Sequence, residues 1–209
     1  MSLSNHITGP TGRLQISIEG VDDGHRSGTA IVCHPHPLHG GTMANKVVTT
    51  TAKALRDLGL STIRFNFRGV GESQGQYDHG NGETDDLLAV IDWADTHIGG
   101  TLWLAGFSFG AYVALRAVSQ RPIDRLITLA PPVNLYDFST LAPVPCPWLL
   151  IQGDADQVVP HSEVKTWVRG LNRPPRTIYF KGVEHFFHGR LVQLRDTLVT
   201  ALKPAVTPH

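Results

Sequence analysis

At 209 residues the chain suits one domain with a sizeable core, and its 41% hydrophobic content is that of an ordinary globular fold. Eighteen Lys and Arg residues cancel eighteen Asp and Glu residues, so there is none of the basic surplus that a nucleic-acid surface needs, and no apolar run reaches the ~20 residues that cross a bilayer. Cys33 and Cys146, both in apolar stretches, are too few for a disulfide scaffold and read as buried thiols of a reduced compartment.

Met1 to Pro10 contain no apolar segment of the kind a signal peptide carries and are expected to form a poorly ordered tail on a single domain spanning 1–209. The expected setting is cytoplasmic, as a monomer or homodimer without nucleic-acid or membrane partners. From there strand and helix patterns alternate. Leu14–Ile18 reads as a first strand and Thr29–His34 as a buried one; Asn45–Leu58 is helical, with Val48, Ala52 and Leu55 on one face. Ser61–Phe67 alternates as a strand and Glu83–His97 repeats as a helix. Thr101–Ala105 is a strand running into a helix over Ser108–Ser119. Leu126–Leu129 and Trp148–Gln152 are buried strands, Ser162–Leu171 a helix, Thr177–Phe180 a strand, and Leu191, Leu194 and Leu198 mark a last amphipathic helix. This alternation predicts an α/β fold, a mostly parallel sheet with helices on both faces, whose ligands bind beyond the carboxyl ends of the strands.

The sharpest local signal is Gly106-Phe107-Ser108-Phe109-Gly110. It matches G-x-S-x-G, with a strand before it and a helix after it, as a nucleophile elbow requires. Backbone must pass close to such a turn on both sides, and glycine removes the side chains that would clash. The competing reading is a glycine-flanked serine that only caps a helix.

A serine hydroxyl needs a base to take its proton, and a third group to orient that base. Downstream of Ser108, the strand ending at Gln152 is followed by Gly153-Asp154-Ala155-Asp156-Gln157-Val158-Val159-Pro160. Asp156 is the favoured acid, with Asp154 read as a turn residue bonding its own backbone. The strand ending at Phe180 leads to Glu184-His185-Phe186-Phe187-His188, where His185 is the favoured base and His188 a cap or surface residue. A metal site from Glu184, His185 and His188 has no familiar spacing.

An acyl-transfer site also needs donors for an oxyanion, commonly the N–H after the nucleophile and one from an upstream loop. Phe109 supplies the first. The second is expected from His36 in His34-Pro35-His36-Pro37-Leu38-His39-Gly40-Gly41, because neither proline has an N–H. A zinc site from His34, His36 and His39 is the rival reading of that loop. The Gly-rich run Asn66–Gly75 lacks the Lys-Ser/Thr ending of a phosphate cradle; in it Arg68 either braces a tight loop or meets an acidic substrate group. Leu38, Arg68, Tyr136, Phe138 and Phe186 complete the candidate substrate-binding set.

With these motifs in order from about residue 28 to 200, the chain resembles the α/β-hydrolase superfamily, above all small bacterial hydrolases related to dienelactone hydrolase and carboxylesterases. Dienelactone hydrolases carry cysteine as nucleophile, so Ser108 departs from them. Many members of the superfamily insert a helical cap between the sixth and seventh strands; Pro131 to Pro147 is too short for one, so an open site is implied, with Tyr136, Phe138 and Leu141 along one wall. The expected activity is hydrolysis of a small carboxylic ester through an acyl-enzyme, with no cofactor. The alternatives are thioester or amide hydrolysis by the same groups, and a non-catalytic binding module.

Overall fold

The computed structural model describes residues 5–20 and 28–203. Eight strands form one sheet in the order β1-β2-β4-β3-β5-β6-β7-β8. The strands are β1 (His6–Gly9), β2 (Gly12–Glu19), β3 (Gly28–Cys33), β4 (Ser61–Phe65), β5 (Thr101–Phe107), β6 (Arg125–Leu129), β7 (Trp148–Gly153) and β8 (Arg176–Phe180). β1 and β2 run antiparallel, and from β4 to β8 every neighbouring pair is parallel.

The inner parallel strands β3 and β7 are buried along their whole length and mostly apolar because both their faces are covered, whereas the edge strand β8 is largely exposed. Along β3, Ala30 and Val32 point into one layer and Ile31 and Cys33 into the other; β5 divides likewise, with Trp103, Ala105 and Phe107 opposite Leu104. Helices α1 (Lys46–Asp57) and α5 (Leu191–Leu202) close one layer through Val47, Val48, Leu55, Leu194 and Leu198. Helices α2 (Asn81–His97), α3 (Phe109–Ala117) and α4 (His161–Arg169) close the other through Leu87, Ile91, Val113 and Val164.

Helix starts follow their side chains. Asn45 Oδ1 accepts from Val47 N at 2.9 Å to open α1. Buried Glu83 turns back to accept from Gly80 N at 2.8 Å and Asp78 N at 2.9 Å, opening α2.

One expectation about the chain's start changes. Residues 5–10 are not a loose tail: Ile7 pairs with Leu14 across a turn and is buried, so His6–Gly9 forms the edge strand β1. Four residues with one apolar side chain are too short a pattern to read as a strand, and the strand arises from the pairing surface of β2. The loop after β3 also tightens into a short 3₁₀ turn, Pro37–His39, capped by His36. Between β6 and β7 the chain forms turns without a helix or strand.

Candidate active site

Strands β3, β5, β7 and β8 end at one edge of the parallel sheet, and four loops there carry His36, Ser108, Asp156 and His185. Ser108 follows β5 directly, with φ 53° and ψ −121°, a conformation a non-glycine residue adopts at a cost of about 1–3 kcal/mol. Neighbouring backbone holds it there. Its N–H donates to Leu129 O at 2.8 Å, and its carbonyl accepts from Ala111 N at 2.8 Å. The flanking glycines are sterically required: a Cβ on Gly106 would lie 2.2 Å from Gly110 O, and one on Gly110 would lie 2.5 Å from Cys33 O.

Ser108 Oγ is 3.0 Å from His185 Nε2, and His185 Nδ1 is 2.8 Å from Asp156 Oδ2. All three residues are buried. The Asp156 carboxylate is surrounded by donors: Oδ1 accepts from Val158 N at 2.9 Å and Val159 N at 2.7 Å, and Oδ2 accepts from Gln152 Nε2 at 3.0 Å as well as from His185. The Asp156 contact assigns the proton of a neutral His185 to Nδ1, leaving Nε2 as an acceptor for the serine proton. Phe107 and Phe186 pack on the imidazole, with ring centroids at 5.1 and 5.0 Å.

The competing residues go elsewhere. Asp154 Oδ1 accepts from Gly182 N at 2.6 Å, which ties the Asp156 loop to the His185 loop; it does not bond its own turn, as the sequence reading expected, because the two loops run side by side past β7 and β8. His188 is exposed, 4.0 Å from Glu184.

In the loop after β3, His34 is fully buried, and its two nitrogens have different partners. Nδ1 donates to Pro35 O at 2.6 Å, and Nε2 accepts from Phe67 N at 3.1 Å. Burial pushes the His34 pKa down to about 4, partly opposed by the Pro35 contact, so the ring is neutral at pH 7. The Pro35–His36 peptide is trans, so fixing its carbonyl toward His34 turns the His36 N–H the opposite way. Gly41 packs behind it, where a Cβ would lie 2.1 Å from Pro35 O. Among the described residues, no backbone carbonyl accepts from His36 N or Phe109 N. The three imidazoles do not converge: His34 turns into the core, while His36 and His39 pack on each other with ring centroids 4.4 Å apart and planes tilted by 39°.

Phe109 touches the rings of His36, Tyr77 and Tyr136 at 5.3, 5.8 and 5.6 Å. Tyr136 stacks on Tyr112, and its hydroxyl is 3.4 Å from that of Tyr77. Leu38 and Phe186 are exposed, at 69% and 44%.

Two expected substrate contacts are corrected. Arg68 takes the loop-bracing of its two readings and not the substrate contact: its backbone N and guanidinium both bind the buried Asp86 carboxylate, with Nη2 at 2.8 Å from Oδ1. Phe138 lies in the core between Tyr112 and Trp167, because the segment before β7 folds its apolar side chains onto α3 and α4. Three nearby residues were missed by the sequence reading: Gln152, Tyr77 and the bonding role of His34. A polar amide closing the otherwise apolar run Trp148–Ile151 was the one available signal for Gln152.

A family model described as the alpha/beta hydrolase fold matches residues 38–145. An uncharacterized protein of Rickettsia prowazekii is 38% identical over 210 residues, covering 93% of this chain and 88% of its own length. Among solved structures, an alpha-beta serine hydrolase homologue from Coxiella burnetii is 50% identical, with a TM-score of 0.92, 97% of this chain and 98% of that chain covered. A serine hydrolase without lid from Xanthomonas campestris is 43% identical, with a TM-score of 0.93, 100% of this chain and 98% of that chain covered.

Proposed function

The chain belongs to the α/β-hydrolase family, and we propose that it is a serine carboxylesterase acting on small carboxylic esters. The observation that carries this reading is the pair of contacts on His185, 3.0 Å to Ser108 Oγ and 2.8 Å to Asp156 Oδ2. They arrange the imidazole to remove the serine proton and to return it later.

In this scheme Ser108 Oγ attacks the ester carbonyl as its proton passes to His185 Nε2. Asp156 stabilises the imidazolium and keeps Nδ1 protonated. The oxyanion of the tetrahedral intermediate accepts from the amides of His36 and Phe109, which are worth most in a site that excludes water. Collapse expels the alcohol, which takes the proton from His185, and leaves an acyl group on Ser108. Water then attacks the acyl-enzyme with His185 again as base, and the acid departs. Tyr136, Tyr77 and Phe109 form an aromatic wall beside the serine, and Leu38 and Phe186 lie on the rim. With turns alone between β6 and β7, short acyl chains suit the site better than long ones.

A fluorophosphonate probe, applied beside Ser108→Ala and followed by mass spectrometry, tests the reading. The expected result is one adduct on Ser108, absent from the variant, with ester turnover in the variant reduced by about 10⁶. Folded protein that takes no adduct overturns the nucleophile. A ladder of nitrophenyl esters tests the substrate class, and a clear preference for long acyl chains overturns the short-chain assignment.

A further inference from the structure

We infer that Gln152 is a positioning residue of this site, its side-chain amide holding the Asp156 carboxylate in register with His185 and sharing that carboxylate's negative charge. The inference rests on the Ser108–His185–Asp156 reading and extends it by one residue. Gln152 is the penultimate residue of β7, fully buried, in a strand whose other side chains are apolar. Its Nε2 faces three acceptors: Asp156 Oδ2 at 3.0 Å, Val159 O at 3.1 Å and Gly153 O at 3.2 Å. These surroundings fix which end of the amide is nitrogen, since the flipped amide would set an oxygen against three oxygens. Oε1 has no protein partner among the described residues, so the hydrogen bonds of this side chain all lie on its donor end.

The position of the donor matters more than its number of bonds. Nε2 and His185 Nδ1 meet the same oxygen, Asp156 Oδ2. Oδ1 is held by the Val158 and Val159 amides, so the carboxylate cannot rotate without losing two backbone bonds. The contact to Val159 O clamps the turn that supplies one of those amides. Gln152 therefore fixes the acid in two ways, through the carboxylate and through its loop. As a second donor on Oδ2, it also draws off charge that would otherwise hold the His185 proton.

Replacing the donor by an apolar group of similar length leaves more negative charge facing His185, which then keeps its proton to higher pH. The base works only when neutral, so the acid limb of the rate profile moves upward. The other titratable groups near the pair are Asp154, bonded to Gly182 N, and the exposed Glu184 and His188 on the β8–α5 loop. His161 opens α4 and packs against Tyr179. None of these contacts involves Gln152, so its replacement leaves them in place.

The test is the pH dependence of the second-order rate of fluorophosphonate labelling at Ser108, in wild type, Gln152→Met and Gln152→Asn. The expected result is an acid limb displaced upward by about one unit in the Met variant, with a roughly tenfold slower rate on the acid side of the profile and a smaller difference at neutral pH. The shorter Asn amide gives a smaller displacement in the same direction. The His185 Nδ1 proton, followed by NMR at low field, is expected to change shift in both variants; this readout does not require turnover. If the Met variant does not fold, the Asn variant decides. A folded variant whose profile and proton resonance match wild type overturns the inference, because a merely structural amide would alter stability alone. Absence of labelling in wild type would instead overturn the nucleophile reading, so the two failures are distinguishable.

Discussion

His34 Nδ1 lies 2.6 Å from Pro35 O, and this contact sets the direction of the His36 N–H across the same peptide. The loop proposed to bind the oxyanion is thus held from inside the core by a buried side chain. His34→Leu removes both ring contacts and frees the peptide to rotate. The expected outcome is a fall in kcat of roughly tenfold to a hundredfold with little change in KM, less than the 10²–10³ loss typical of deleting an oxyanion donor outright. His34→Asn, whose amide can still donate to Pro35 O, is expected to recover much of the loss. Steady-state kinetics on a short ester checks this, and equal damage in both variants would show that the Pro35 contact is not what matters.

The same ring makes stability depend on pH. His34 titrates near 6.5 when unfolded and at about 4 in the fold, so between these values the unfolded chain binds more protons. Its stabilising contribution is therefore full above pH 6.5 and is lost as pH falls toward 4. The loss is on the order of 3 kcal/mol if the ring remains buried. Urea unfolding between pH 4 and pH 7 is expected to show this slope in wild type, and a slope shallower by about one proton in His34→Asn. Identical slopes would place the titration elsewhere.

Much of the site was legible because its chemistry constrains local sequence. Gly106 and Gly110 stand where a Cβ cannot fit, and Ser108, Asp156 and His185 follow strand ends in the order that brings them to one edge. Contacts that belong to no local motif were not legible. Arg68 meets Asp86 only because β4 and α2 are folded together, and His34 meets Phe67 N only because β3 and β4 pair. Phe138 read as a wall residue because turns have no periodicity to show which way a side chain points. β1 was hidden for a related reason: its existence depends on β2, not on its own four residues.

Arg68 and Asp86 form a buried pair whose removal is expected to cost stability before activity. The guanidinium lies against Gly82, where a Cβ would be 1.9 Å from Nη1, so α2 is built to receive it. Burial raises the Asp86 carboxyl above its ordinary value, against the pull of Arg68. A raised carboxyl pKa means that the fold binds more protons than the unfolded chain, so this group's contribution declines as pH rises through the raised value. Arg68→Met strands the charge and steepens the decline. The expected destabilisation is about 3–5 kcal/mol at pH 7 and less at pH 5. Adding Asp86→Leu is expected to restore most of it. Denaturant unfolding at both pH values checks this, and equal losses at pH 5 and pH 7 would mean that the stranded carboxylate is not the cause.

Asp154 and Asp156 sit two residues apart, yet their surroundings assign them different work. Asp156 faces His185, so Asp156→Asn removes the group that holds the Nδ1 proton and stabilises the imidazolium; its amide can present a donor to the ring and favour the wrong tautomer. A loss of about 10⁴ in kcat is expected, the size seen when a triad acid is replaced by its amide. Asp154 instead accepts from Gly182 N at 2.6 Å and ties together the loops that carry the acid and the base. Asp154→Ala is expected to lower stability by about 1–3 kcal/mol, as for a lost hydrogen bond to a charged group, and to reduce kcat by no more than about tenfold. Measuring kcat and unfolding free energy for both variants separates the roles. Comparable kcat losses would show that the acid is shared between them, and a larger loss in Asp154→Ala would transfer the role to Asp154.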